Sequence, residues 1–213
     1  MAATIQGWGG PALLESYQIE RQPVHKYVID EAVANHAVLG NQLRRNEIEQ
    51  PGPEGERVRR EIGDLIRSSK EREFHALGVV KGYRYEDSPI IVSDGKPLPA
   101  LDWREYRPSA HPGRIAPHAW LADGSSLYDH FGSGYTLLYD GDRDDALAGN
   151  FAAAAHARKL PLAVLPAPDP HAIAQYEAKY TLVRPDQHVA WRGDRCDDPG
   201  ALLERLCGGN LNA

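Results

Sequence analysis

The residues able to do chemistry are scattered, and most lack the company that chemistry needs. An acidic run, Asp140-Gly141-Asp142-Arg143-Asp144-Asp145, joins an apolar stretch to an alanine-rich one. Runs of this kind open calcium loops, which then require glycine at the sixth position and glutamate at the twelfth. Asp145 and Phe151 stand there instead. The run therefore reads as a solvated strand-to-helix turn with Asp144 or Asp145 capping the helix. His111 and His118 lie seven apart among prolines, with no cysteine nearby and no HExxH. A structural zinc site wants four converging ligands, so His118 reads as a hydrogen-bonded residue in a packed loop. Arg114 sits in the same proline-held loop, where a guanidinium can fork onto a carboxylate or a carbonyl. Cys196 and Cys207 are separated by ten residues, which is neither a CxxC nor a disulfide framework and suits a reducing, cytoplasmic setting.

The whole chain bounds these sites. Its 213 residues are 42% hydrophobic and 25% charged, enough to bury a sizeable core in one or two domains. A net charge of -6 argues against nucleic acid and anionic membrane surfaces, which reward basic proteins. No apolar run approaches the roughly 20 residues of a membrane span, and the N-terminus lacks a signal-peptide pattern.

Periodicity supplies the elements. Leu13, Leu14 and Tyr17, then Val24, Val28, Ile29, Ala32, Val33, Leu39 and Leu43, predict a long amphipathic helix over 11–45 that kinks or restarts at Pro23. Residues 46–57 hold Pro51, Gly52, Pro53 and Gly55 and read as a loop. Residues 54–73 read as a charged helix with Val58, Ile62, Leu65 and Ile66 as its stripe. Residues 74–122 are proline-rich and irregular, with one strand-like stretch at 89–92. So long a segment either has a task or wraps another domain. From residue 135 the pattern is regular. It runs strand 135–139, helix 146–158, strand 161–165, helix 171–179, a hairpin of strands 180–184 and 188–192, and a last helix from Pro199 through Leu206. Boundaries follow at 1–75, 76–122 and 123–213. The fold class is α/β: long helices and a wrapping segment precede a β-α-β-α-β-β-α domain, the minimal thioredoxin core. A redox-active thioredoxin places CxxC at the first helix N-terminus, where the dipole lowers the thiol pKa. Asp144-Asp145-Ala146-Leu147 stands there, so thiol chemistry is not expected.

Four stretches in order resemble the FAD-dependent aromatic-ring hydroxylases, the phenol, dichlorophenol and polyketide hydroxylase-like flavoproteins. LESYQIERQPV at 14–24 resembles the helix that follows the second flavin-binding motif. GYRYEDSPII at 82–91, RPSAHPGRIAPHAWL at 107–121 and LVRPDQHVAWR at 182–192 resemble three further family stretches. The family's GxGxxG, DG and GD motifs are absent, and Gly7-Trp8-Gly9-Gly10 has neither the preceding strand nor the spacing to replace them. The resemblance thus implies the C-terminal part of such an enzyme. The complete enzyme would use FAD, NAD(P)H and oxygen to hydroxylate a phenolic or polycyclic ring. This part would serve packing or dimerisation, carry no catalytic or cofactor-binding residue, and partner a flavin-binding half on the same or a separate chain. An accessory or interaction module without catalysis is the alternative. Arg21, Arg114, His118 and Trp120 are the residues expected at the border with the flavin-binding half or its cleft. Tyr83, Tyr85, Trp103, Tyr106 and Trp120 would fill the seam or line a planar pocket.

Overall fold

The computed structural model describes residues 1–36, 45–98, 100–141 and 145–209. The expected continuation of the first long helix through Leu39 and Leu43, and Asp142 to Asp144 of the acidic run, lie outside them. The chain divides into two compact units. One comprises Met1–Pro23, Tyr83–Ala100 and Pro108–Ala213, the other Val24–Gly82 and Leu101–Arg107.

The chain opens with α1 (Ala2–Ile5) and α2 (Pro11–His36). Pro23 lies inside α2 and the helix continues through it. Only the hydrogen bond to the Ile19 carbonyl is forfeited, because proline brings no N–H. The first unit receives α2 as far as Pro23 and the second receives the rest.

The second unit continues with α3 (Pro53–Phe74) and α4 (Leu77–Lys81). Val58 and Ile62 are buried along α3, but Leu65 and Ile66 are exposed, so the apolar stripe is half the expected width. The helix α4 was not expected from the sequence, since five residues are too few to show a period. Within this unit Arg72 forks onto Glu31 at 2.6 and 2.8 Å and lies 4.8 Å above the Trp103 ring.

The first unit is built on a sheet. Its elements are β1 (Tyr135–Tyr139), α5 (Ala146–Ala157), β2 (Leu162–Pro166), α6 (Pro170–Ala174), β3 (Tyr180–Val183), β4 (Val189–Gly193) and α7 (Pro199–Leu206). The strand order is β2-β1-β3-β4, with β1 parallel to β2 and antiparallel to β3, and β3 antiparallel to β4. All five β1 residues are buried, as in a strand covered on both faces. Successive side chains alternate. Leu137 joins Phe151, Leu182, Leu203 and Leu206 on one side, while Leu138 joins Leu127, Tyr176, Val183 and Val189 on the other. The helix α6 ends five residues before the expected 179. Glu177 takes a left-handed backbone, φ 55°, and the Tyr176 carbonyl accepts from Arg192 at 3.1 Å.

The irregular segment covers the second face of this sheet. Ala110, Ala116, Leu121 and Leu127 pack on Leu138, Val183 and Val189. It also lines the outer edge of β4. Val92 N–H donates to the Ala190 carbonyl at 2.9 Å, Gly113 N–H to Val189 at 2.8 Å, and Val189 N–H to Arg114 at 2.8 Å. An edge covered in this way offers no template for foreign strands. The stretch 89–92 is accordingly not a strand but a turn with that single bond to β4. Gly113 (φ 91°) fits because a Cβ there would come within 2.3 Å of the Tyr85 carbonyl oxygen.

Candidate functional site

Three of the four motif stretches converge on one carboxylate in the first unit. Glu20, on the buried side of α2, accepts both Arg184 nitrogens, Nη1 at 2.6 Å and Nη2 at 2.9 Å. Ser88 Oγ donates to the same carboxylate at 2.6 Å. Glu20 is 4% exposed and the Arg184 side chain 10%. Arg184 stands where β3 ends, and its other edge meets Asp186 in the hairpin turn at 2.8 and 3.1 Å. Tyr85 lies 5.3 Å beneath the same guanidinium. It stacks on His188 with ring centroids 4.3 Å apart. Arg21 closes the cluster by donating to Tyr85 Oη at 3.2 Å and lying 5.9 Å over Tyr83.

The electrostatics are those of a closed account. Two carboxylates, Glu20 and Asp186, face the one Arg184 guanidinium, and a fork onto a carboxylate is among the stronger hydrogen-bonded contacts. Burial works against the Arg184 charge, but the Glu20 hydrogen bonds and the nearby carboxylates raise its pKa. Burial likewise opposes ionisation of Asp186, yet the His188 hydrogen bond and the Arg184 charge hold it at about 2. Burial pushes the Tyr85 hydroxyl up to about 12 against the pull of Arg21. The shifts of Arg21, Arg184, Asp186 and Tyr85 all run away from neutrality, where acid–base catalysis would want a group.

The fourth motif reaches this cluster through its backbone. Arg114 pairs with Arg84, and Ile115 with His188, as isolated bridges. His118 and Trp120 stand apart in a second cluster. His118 Nε2 lies 3.0 Å from Ser126 Oγ, and Ser126 forms a capping box with Asp129. The His118 ring meets Trp120 and Tyr128 edge-on at 5.0 and 5.3 Å. Trp120 itself is 72% exposed. The four expected border residues are therefore not one site. Arg21 and Arg114 belong to the Glu20 cluster, and His118 and Trp120 to another. The aromatic group divides too, because Trp103 and Tyr106 belong to the second unit. Ser88, Arg184 and His188 escaped sequence reasoning, which offers Arg21 as a neighbour for Glu20, whereas Glu20 pairs with Arg184 and Arg21 with Tyr85. A carboxylate on the apolar side of a helix was the one available signal.

A further buried pair ties the chain around Asp94 to β4. Arg192 Nε and Nη2 each meet Asp94 Oδ2 at 2.8 Å, and His111 Nε2 lies 3.4 Å from Oδ1. Among the described residues no group of three or more His, Cys, Asp or Glu side chains could hold a metal ion. Burial raises the Cys196 thiol pKa and pushes Cys207 up to about 11, so neither is an activated nucleophile.

Beside the Glu20 cluster lies an open cavity of about 810 Å³. Trp8, Leu13, Leu14, Tyr17, Tyr135 and Pro161 are among its lining residues, together with Glu20 and Arg184.

The same stretches decide the family. Residues 109–209 match the model of the aromatic-ring hydroxylase C-terminal domain. The chain belongs to the aromatic-ring hydroxylases, as a C-terminal part. The FAD-dependent monooxygenase opdD of Penicillium oxalicum is 32% identical over 91% of this chain and 38% of its own length. The 2,4-dichlorophenol 6-monooxygenase of Cupriavidus pinatubonensis is 30% identical over 98% of the chain and 41% of its own. The chromopyrrolic acid-soaked structure of RebC with bound 7-carboxy-K252c superposes on 98% of the chain and 40% of RebC, with a TM-score of 0.87 and 37% identity. The chain thus spans about two-fifths of the length of these relatives. Among its described residues no helix is long and apolar enough to cross a membrane.

Proposed function

We propose that this chain is the C-terminal, non-catalytic part of a flavin monooxygenase. The whole enzyme uses NAD(P)H and oxygen to hydroxylate a phenolic or polycyclic aromatic. The flavin would supply that chemistry, and the protein would orient and shield it. One observation carries the reading: nearly the whole chain superposes on the structure of a flavoenzyme relative at 37% identity.

The residues present do not fit FAD. A pyrophosphate needs free backbone N–H groups at a helix N-terminus. In each of the three helices that follow a strand those donors already serve an aspartate. Asp145 accepts from Leu147 and Ala148 at 3.0 Å, Asp169 from His171 at 2.7 Å and Asp198 from Ala201 at 2.9 Å. A phosphate there would meet a carboxylate. The flavin-binding part therefore belongs to another stretch of polypeptide, on the same or a separate chain. The sheet unit is a thioredoxin-like cap without redox function, in keeping with an aspartate at the start of α5 and two thiols of raised pKa.

The visible spectrum of the purified chain after FAD addition and desalting tests this. No flavin band is expected; a stoichiometric band surviving desalting would overturn the reading. A second reading, an accessory module that completes a separately encoded flavin-binding subunit, is favoured by the open apolar cavity beside α2. Here the neighbouring gene decides. A GxGxxG protein encoded beside this chain supports the subunit, and its absence removes it.

A further inference from the structure

The cavity beside Glu20 has the size of a small-molecule site, but most of the polar side chains that line it are already engaged. Glu20 and Arg184 fork onto each other. Ser16 Oγ donates to the Leu13 carbonyl at 2.9 Å, and Tyr135 Oη to the Leu206 carbonyl at 2.8 Å. Trp8 Nε1 donates to Gln6 at 3.0 Å. Small-molecule pockets orient ligands with a few unspent polar groups, and none of these is unspent. The apolar lining also does not stop at the rim. Met1, Leu14 and Tyr17 line the cavity, and with Ile5 they stand 82, 48, 71 and 84% exposed. Apolar surface that runs continuously out of a cavity marks a protein contact. The hydroxylase relatives carry about three-fifths of their length outside the stretch this chain spans.

We infer that this cavity, with the adjoining face of α1 and the first turns of α2, seats an apolar segment of the flavin-binding part of the enzyme. The inference rests on the functional reading above and names the contact through which that part is held. Tyr17 is the anchor, an exposed aromatic at the mouth of an apolar cleft, the residue type that dominates interface energetics. The Glu20–Arg184 pair is the rigid floor. With its charges mutually satisfied it can be covered without leaving a naked ion.

The experiment compares the free chain with a chimera in which this chain replaces the matching C-terminal two-fifths of RebC. Hydroxyl-radical footprinting reads Leu14 and Tyr17 in both. In the free chain both residues should label strongly and light scattering should give a monomer. Protection there together with a dimer mass would hand the surface to a second copy and overturn the inference. In the flavin-loaded chimera labelling at both positions should fall several-fold; unchanged labelling overturns the inference while leaving the functional reading intact. Tyr17→Glu should lower retained flavin in the chimera without moving the melting temperature of the free chain, and equal damage to both would reduce Tyr17 to a folding residue. A folded chimera without flavin would count against the functional reading instead, and Tyr17 labelling in it still decides the surface.

Discussion

The two units stabilise themselves in opposite ways. The sheet unit buries its charges, with Glu20–Arg184 and Asp94–Arg192 all at or below 10% exposure. The helical unit leaves most of its paired charges outside, Glu31 at 13% exposure being the exception. Lys26–Asp30, Arg57–Glu54, Arg57–Glu61 and Lys70–Glu73 are helix-surface pairs three or four residues apart. The sheet unit also closes an apolar core on each sheet face, whereas Val24, Val58 and Ile62 are the buried aliphatic side chains described in the helical unit. Surface pairs tune a helix, but burial and committed charge hold a fold. One unit carries its own cohesion, and the other has little in reserve.

Removing one partner of a buried pair sharpens this contrast most. Glu20→Ala strands the Arg184 charge and should destabilise the sheet unit by about 3–5 kcal/mol, read by urea unfolding followed at Trp191. Glu31→Ala removes the partner of Arg72, whose side chain is 38% exposed, and should cost about 1 kcal/mol or less. Equal losses would break the distinction. The apolar comparison comes next. Phe151→Ala should cost about 3–5 kcal/mol and Ile62→Ala about 2 kcal/mol, the low end for an aliphatic truncation, because only Phe151 sits amid a closed core.

The helix cap is a smaller effect. Asp145→Ala should cost about 1 kcal/mol. Its pH dependence follows from the carboxylate. Burial opposes ionisation, but the Ala148 N–H, the Tyr180 hydroxyl and Lys179 hold Asp145 at about 2, and Asp186 is held as low. Both lie below the ordinary carboxylate range, so their stabilisation is complete above about pH 4 and is lost as pH falls through 2. Acid titration of the sheet unit by circular dichroism should show that loss, diminished in Asp145→Ala. The smallest effect is Arg57→Ala, which should leave the urea midpoint almost unmoved and entirely so in high salt. A larger one would mean that surface pairs do carry the helical unit.

Much of the sheet unit was legible because its signals are local. Asp145 caps α5 and Pro199 opens α7 where residue type alone placed them. Strand β1 reads as a buried run, and it is buried along its whole length because both of its faces are covered. The proline-rich segment was legible as one that could wrap another part of the protein, but the sheet face it covers was not. Ala110, Ala116 and Leu121 show no period because they pack as a loop onto an existing sheet. The Glu20 cluster was half legible. Its members stand inside stretches picked out by resemblance, yet the partners lie 68 and 164 residues apart along the chain. No spacing rule reaches that far. At Pro23 residue type alone left a kink or a restart open, and α2 runs on through it with the loss of one hydrogen bond, so the helix does not restart.

The Arg21–Tyr85 hydrogen bond has a consequence for how such a chain can change. It joins residues 64 apart, close to where the polypeptide departs for the Val24–Gly82 part of the helical unit and returns from it. The cost of closing an excursion grows only with the logarithm of its length, about 0.6 kcal/mol per doubling. The intervening helices can therefore lengthen, shrink or be exchanged at small thermodynamic cost while the gate at Arg21 and Tyr85 stays shut. Evolution can edit the excursion freely so long as it spares the doorway.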